Sequence, residues 1–237
     1  MITERQEKIL TRLVQDYIDL AHPISSEFME KKHNFGLSPA TLRIELQKLT
    51  EQGFLYQPHT SAGRAPTDKG YRFFVNEVFE KGFSKSCRDG LLSEITGIKK
   101  EFKDASVLFQ AITKRIAKLT SELVISYLPE EEVFFKEGWS SVLREPEFGE
   151  ADYVSKLAGI LDELEEKIGV FEDSTGIKVY IGRENPISEA EDFSMIVSNC
   201  CLKEDQKGLL AVFGPKRMAY KKNIGILDSI TKIFEEL

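Results

Sequence analysis

Apolar residues recur at helical spacing along the first thirty residues of the chain. Thr3 and Gln6 have the capping-box spacing of a helix start, and the apolar positions within residues 9–18 then form one wide face. Phe28 and Met29 follow in a short second segment that Ser25 or Ser26 can cap. The pattern predicts two helices, the second much shorter than the first.

A third helix is predicted from residue 38 onward. Ser38 is a favourable N-cap, and Pro39 stands at the first helical position, where its missing N–H costs nothing. Gly53 ends the segment. One face of this helix carries three leucines at positions i, i+4 and i+7, namely Leu42, Leu46 and Leu49.

A hairpin follows the third helix. Residues 54–57 form a short strand, residues 59–64 a polar turn-rich loop, and residues 65–67 can return antiparallel. A fourth helix is predicted through residue 78. Three helices and a small hairpin are typical of the winged helix-turn-helix, so we assign residues 1–83 to such a DNA-binding domain.

A heptad-like apolar seam runs from Leu91 to Leu123 and predicts one long linking helix over about residues 88–123. Such a stripe either packs within its own domain or pairs with a second chain, and both alternatives remain open. The candidate dimerisation residues in the seam are Ile98, Phe102, Phe109, Ile112, Ile116 and Leu119.

Residues 84–237 form the second predicted domain. Short strands are predicted at 123–128 and 133–135, a helix at 153–171, and an antiparallel meander near the end of the chain. The meander strands are expected at residues 178–181, 193–202 and 209–213, with a final helix at about 217–237. The fold class is therefore α+β.

Composition adds limits to this picture. With 237 residues, 41% of them hydrophobic, the chain can bury a real core, yet no apolar run is long enough to cross a membrane. The charged N-terminus lacks a signal-peptide core, which predicts a cytoplasmic protein. The three cysteines of the chain are expected to be reduced.

The charge of the chain is unevenly distributed. Its net charge is -7, but residues 1–83 contain 11 basic and 11 acidic residues and are neutral overall. The whole excess of acidic residues therefore lies in the second domain.

The outer face of the third helix is the first candidate DNA-binding surface. Arg43 can donate two hydrogen bonds to guanine or to a phosphate, and Ile44 can contact a thymine methyl group. These side chains can also be ordinary surface residues. The small residues at the start of the helix let its backbone approach DNA, so the candidates are Ser38, Ala40, Thr41, Arg43, Ile44 and Lys48.

The hairpin loop is the second candidate surface. It offers hydroxyl groups, backbone amides and one guanidinium, without an acidic or bulky residue, which suits contact with a phosphate or a minor groove. Two further basic residues follow in the sequence. The candidates here are His59, Thr60, Ser61, Gly63, Arg64, Lys69 and Arg72.

Two long motifs carry a family resemblance. Residues 37–43 (LSPATLR) and 57–72 (QPHTSAGRAPTDKGYR) resemble the heat-inducible transcription repressor HrcA family. Segments nearer the C-terminus agree, namely residues 145–148 (EPEF), 179–186 (VYIGRENP) and 214–220 (GPKRMAY). The resemblance covers most of the chain at both ends.

The resemblance implies an N-terminal winged helix joined to a GAF-like domain. It implies a repressor of heat-shock chaperone operons that binds an inverted-repeat operator called CIRCE as a homodimer, with activity promoted by the chaperonin GroEL. Family members are longer and carry an inserted dimerising domain where this chain passes directly from Tyr127 to Val133, so the second domain is a truncated form. They usually have a polar residue where Ile44 stands.

Other function classes have less support. The second domain contains no histidine, and the sequence has no metal-ligand cluster or phosphate loop, so we expect neither an enzyme nor a bound metal or cofactor. A small-molecule-sensing regulator is the main alternative, because Trp139 and several phenylalanines can line a pocket as well as a core. A winged helix that contacts only proteins is disfavoured by its arginines.

Overall fold

The computed structural model describes residues 2–82, 93, 95, 97, 98, 104–149, 151–171, 176–201 and 207–236. Its contacts divide the chain into two compact units, Met1–Lys81 and Gly82–Leu237. Each unit has its own helices, its own sheet and its own buried apolar core.

The three predicted N-terminal helices are confirmed. They are α1 (Glu4–Leu20), α2 (Ser26–Lys32) and α3 (Pro39–Glu51). The caps lie where the sequence places them: Thr3 and Gln6 form a complete capping box, and Ser25 caps α2.

A minimal hairpin connects α3 to a fourth helix. β1 (Leu55–Tyr56) pairs antiparallel with β2 (Ala65–Pro66), and α4 (Asp68–Lys81) follows. Gly70 in α4 lies against this hairpin, where an added Cβ would come within 2.3 Å of the Phe54 carbonyl oxygen. The inner faces of all four helices form the core of the first unit. Its buried residues include Leu10, Leu13, Leu42, Leu49 and Val75.

Among the residues that the structure describes, the second unit has four α-helices with defined bounds and five strands. The helices are α5 (Ala105–Thr120), α6 (Trp139–Val142), α7 (Ala151–Glu166) and α8 (Tyr220–Glu236). The strands are β3 (Leu123–Leu128), β4 (Val133–Glu137), β5 (Ile177–Ile181), β6 (Phe193–Cys201) and β7 (Lys207–Pro215). The predicted α+β composition is therefore confirmed at the level of its elements.

The five strands form one antiparallel sheet in the order β4-β3-β7-β6-β5. The last three strands are neighbours in sequence order, which is the predicted meander. Both faces of the central strands are covered, so five of the six residues of β3 are buried instead of every second one.

Helices cover the two faces of this sheet. One face packs against α7, with an aromatic cluster in which the Phe193 and Phe213 rings stack at 5.1 Å. The other face carries α5 and α8, which meet through Phe109 and Phe234. The phenylalanines that could have lined a pocket are thus largely core, whereas Trp139 is 40% exposed.

The single long helix expected over about residues 88–123 is wrong. α5 begins at Ala105 because Asp104 adopts an extended conformation and its side chain accepts a hydrogen bond from the Val107 N–H. It ends at Thr120, because Ser121 takes a left-handed conformation and Leu123 already belongs to β3. Ile98 lies in a preceding helical segment, outside α5.

The seam is also not a free dimerisation surface. Phe109, Ile112 and Ile116 are at most 1% exposed because they pack onto their own sheet and α8. Ile98 and Leu119 are half-buried, and Phe102 lies outside the described residues. The apolar seam is therefore the inner face of a helix that packs within its own domain, which is one of the two alternatives that the sequence left open.

Within the residues that the structure describes, no helix combines the length and the apolar character that a membrane crossing needs.

Candidate nucleic-acid interface

Helix α3 turns one face to the core and the other outward. Ser38 caps it by accepting a hydrogen bond from the Thr41 N–H at 3.2 Å, while Ser38 and Ala40 stay exposed. The side chain of Ile44 is 56% exposed, so its apolar surface is available for contact. The outer face thus starts with small residues and continues through Ile44 and Gln47.

The acidic residue in the middle of α3 points inward. Glu45 is 3% exposed and accepts hydrogen bonds from Arg5 at 2.6 Å and from Gln6 at 2.8 Å. Although burial acts to raise it, the pKa of Glu45 is held below its usual value by the Gln6 hydrogen bond and the Arg5 charge. The Lys48 amine lies 3.7 Å from the same carboxylate. The charge of Glu45 is therefore compensated away from the outer face.

Arg43 lies on the exposed side and contacts α2. Its Nη2 donates to the Glu27 carboxylate at 2.7 Å, with 70% of the Arg43 side chain and 51% of the Glu27 side chain exposed. No local sequence pattern points to Glu27, because this contact depends on how α2 crosses α3.

The hairpin loop (residues 57–64) is held by its own first residue. The Gln57 side-chain amide donates to the carbonyl oxygens of Thr60 and Ala62, both at 2.9 Å. The side chains of His59, Thr60 and Ser61 remain exposed around this link. Gln57 therefore shapes the loop while the three candidate residues face outward.

The far end of the hairpin loop is bound to the residues before α2. Ile24 and Arg64 exchange two backbone hydrogen bonds, at 2.9 and 2.8 Å, in an isolated antiparallel bridge. Gly63 makes this approach possible, since a Cβ there would lie 2.4 Å from the carbonyl carbon and oxygen of Ile24.

We expect Gly63→Ala to lower the free energy of unfolding of the first unit by about 1–3 kcal/mol, because backbone must move to admit the methyl group. Ser61→Ala, in the same loop but exposed, is the matched control and should change it by less than about 0.5 kcal/mol. Chemical denaturation of the two variants measures the difference. Equal free energies of unfolding for the two variants would show that the backbone bridge between Ile24 and Arg64 can shift without loss of stability.

The Arg64 side chain joins the hairpin loop to α3. Its Nε donates to the Thr50 hydroxyl at 3.0 Å and its Nη2 to the Gln47 side-chain oxygen at 3.1 Å. Burial, and then the nearby charge of Arg43, lower the pKa of Arg64 from its very high normal value, and the side chain stays charged. The loop and the outer face of α3 thus form one surface with two guanidinium groups.

The other two basic candidates are engaged elsewhere. The Lys69 amine donates to the Gln52 carbonyl oxygen at 2.8 Å, just past the end of α3, and lies 4.3 Å from the Phe54 ring centroid. Arg72 is half-buried in α4 and has interactions of its own. Lys69 therefore supports the end of α3, a role that the sequence did not indicate.

A second polar cluster lies in the second unit, at one end of its sheet. Arg217 binds Glu147 through Nε at 2.6 Å and also pairs with Glu145, so the 145–148 and 214–220 motifs meet. Beside them, Glu122 is 7% exposed and Asn223 is fully buried. In the described part of the chain, Glu122 Oε2 and both amide atoms of Asn223 make no hydrogen bond.

This environment changes the titration of Glu122. Burial, and then the negative charge of Glu145, raise its pKa to about 8, against the weaker opposing effect of the Arg217 charge. Glu122 is thus mostly protonated at neutral pH. Sequence patterns could not reveal this group, since its neighbours come from distant segments.

The family comparison matches the second part of the chain. The family model described as the HrcA protein C terminal domain matches residues 71–224. A solved structure described only as a hypothetical protein superposes with a TM-score of 0.80 at 21% identity, covering 100% of this chain and 98% of its own. That likeness shows the fold.

Curated relatives match almost the full length. A heat-inducible transcription repressor HrcA from Natranaerobius thermophilus is 27% identical, with 95% of this chain and 94% of the relative covered. Another, from Geobacter sulfurreducens, is 25% identical, with 100% and 98% covered. The first alignment spans 322 positions against the 237 residues of this chain, so at least 85 positions of that relative have no counterpart here.

One shorter match has a higher identity than the two full-length ones. An HrcA from Acetivibrio thermocellus is 37% identical over 130 residues, covering 55% of this chain and 36% of the relative. Together with the family model, which spans more than half of the chain, these similarities establish the identification. The chain belongs to the HrcA family of heat-inducible transcription repressors.

Proposed function

We propose that the first unit is a winged helix-turn-helix module that binds duplex DNA with α3 in the major groove and the hairpin loop as its wing. The observation that carries this proposal is the Arg64 link to Gln47 and Thr50, which makes the loop and the outer face of α3 one continuous surface. A helix and a loop held in fixed relation can contact adjacent parts of a duplex.

The exposed side chains of α3 and the hairpin loop are assigned different roles in DNA binding. The start of α3 lets the backbone approach DNA, Arg43 and Lys48 supply positive charge, and Ile44 supplies an apolar contact to a base. The loop contributes His59, Thr60, Ser61 and Arg64 to phosphate contacts. Gly63 and Lys69 act by holding the loop and the end of α3 in place.

At the level of the cell, the proposed target is the inverted-repeat operator of heat-shock chaperone operons. A two-fold operator requires two copies of the module, so we propose that the chain acts on it as a dimer in the cytoplasm. The second unit, a truncated GAF-like domain in this proposal, takes the regulatory role, with the chaperonin GroEL promoting the active form. Because the α5 seam is buried, the dimer contact lies elsewhere.

Arg64 provides the test of the interface. Arg64→Ala should weaken operator binding about tenfold and flatten the slope of log affinity against log salt by about 0.9, the value for one lost phosphate contact. Arg64→Lys keeps the charge but not both hydrogen bonds, so it should keep the slope and lose only part of the affinity. Fluorescence anisotropy with a labelled inverted-repeat duplex measures both quantities. If Arg64→Ala leaves both the DNA affinity and its salt dependence unchanged, neither Arg64 nor the hairpin loop is part of the interface.

A further inference from the structure

A cleft of about 380 Å³ opens on the proposed DNA-binding surface, between the start of α2, α3 and the hairpin loop. Its polar lining includes hydroxyl groups of Ser25, Thr60 and Ser61 and the guanidinium groups of Arg43 and Arg64. Among the described residues that line it, Glu27 is the one acidic side chain. The cleft thus has the groups that bind a phosphate, together with one group that repels it.

The two arginines of the cleft differ in the charge of their partners. Arg64 is fixed by hydrogen bonds to two neutral side chains, and its full charge remains uncompensated by them. Arg43 instead pairs with Glu27. A hydrogen bond with its own backbone N–H keeps the pKa of Glu27 below the usual value, so the carboxylate is ionised at neutral pH.

We propose that this cleft binds a phosphate of the DNA backbone and that Glu27 competes with that phosphate for Arg43. The proposal rests on the proposed function and adds a residue, Glu27, that limits how tightly the protein holds DNA. An exposed ion pair is weak, and a phosphate can replace the carboxylate as a bidentate partner of the guanidinium. When the phosphate enters, Glu27 is left as an unpaired negative charge beside it.

This competition predicts the direction in which Glu27→Gln changes the affinity for DNA. Glu27→Gln removes both the cost of opening the ion pair and the repulsion, so DNA binding becomes tighter. The weak net value of exposed ion pairs sets the gain at about threefold. The gain should be smaller in an Arg43→Gln background, because only the repulsion between Glu27 and the phosphate is then left to remove.

The experiment measures dissociation constants of the full chain for an inverted-repeat duplex. The variants are Glu27→Gln, Arg43→Gln, the double variant, and Glu30→Gln as the matched control. Glu30 is exposed on the same helix, so its variant changes the net charge equally. A second arm replaces chloride by inorganic phosphate at constant ionic strength, which separates the DNA backbone from free phosphate as the occupant of the cleft.

The inference holds if Glu27→Gln tightens binding about threefold, Glu30→Gln changes it far less, and the gain is clearly smaller without Arg43. It is overturned if the two glutamate variants behave alike, if Glu27→Gln weakens binding, or if free phosphate competes while Glu27→Gln has no effect on DNA. If the unaltered chain binds no duplex, the proposed function itself fails. If it binds and only the Glu27 effect is missing, this inference alone is wrong.

Discussion

Ile112→Asp is expected to unfold the second unit rather than to release a folded monomer. Ile112 is 1% exposed on the inner face of α5, which packs against β3, β4 and α8. An aspartate there buries a carboxylate without a partner in an apolar core, at a cost of about 4 kcal/mol or more. That cost is a large fraction of the stability of an ordinary domain.

Thermal unfolding followed by circular dichroism, with light scattering for molar mass, separates the two outcomes. Gln110→Asp adds the same charge at an exposed position of α5 and should leave the unfolding temperature nearly unchanged. A well-folded Ile112→Asp protein with the unfolding temperature of the unaltered chain and half its molar mass would contradict the packing described above. That result would restore the seam as a dimer contact.

Glu122→Gln is expected to stabilise the protein, and more so as the pH rises. The carboxyl group has a pKa of about 8 in the folded chain, raised by burial from an ordinary value of 4.5. Between these two values the unfolded chain releases the proton while the folded chain retains it. The carboxyl group therefore reduces stability increasingly with pH, by up to ~1.4 kcal/mol per pH unit, and the loss levels off above the folded pKa.

The measurement is the difference in unfolding temperature between Glu122→Gln and the unaltered chain at pH 5, 6, 7 and 8. This difference should be small at the lowest pH and grow by several degrees at the highest. Glu166→Gln removes an exposed carboxyl group of the same unit and serves as the control. A difference that does not change with pH would mean that Glu122 is not held protonated in the folded chain.

Local signals made the first unit predictable. The caps of α1 and α3 are contacts between residues three apart, so Thr3 with Gln6 and Ser38 with Thr41 are visible in the sequence. The leucine stripe of α3 defined its inner face, and hence the exposure of Ile44.

Contacts between distant segments escaped prediction. Glu27 and Arg43, or Arg64 and Gln47, meet only because helices and hairpin pack in a particular way. The same holds for Arg217 with Glu145 and Glu147, seventy or more residues apart. The two motifs were recognisable as family features, but their sequence did not reveal that they bind each other.

The error over α5 has a specific cause. A heptad stripe reports that a helix face is buried, not which surface covers it. The start of α5 was within reach of the sequence, since Asp104 is a good N-cap. The apolar spacing alone continues on both sides of Asp104, so it predicts a longer helix than the one that begins at Ala105.

Binding of duplex DNA by the first unit, through α3 and the hairpin loop, is the proposal on which the rest of the function depends. Its most direct test is the affinity of the full chain for an inverted-repeat duplex and for a scrambled duplex of equal composition, each over a range of salt concentrations. We predict about a thousandfold or greater preference for the inverted repeat and an affinity that falls steeply with salt for both duplexes. Equal affinity for the two duplexes, or no binding to either at low ionic strength, would contradict the claim.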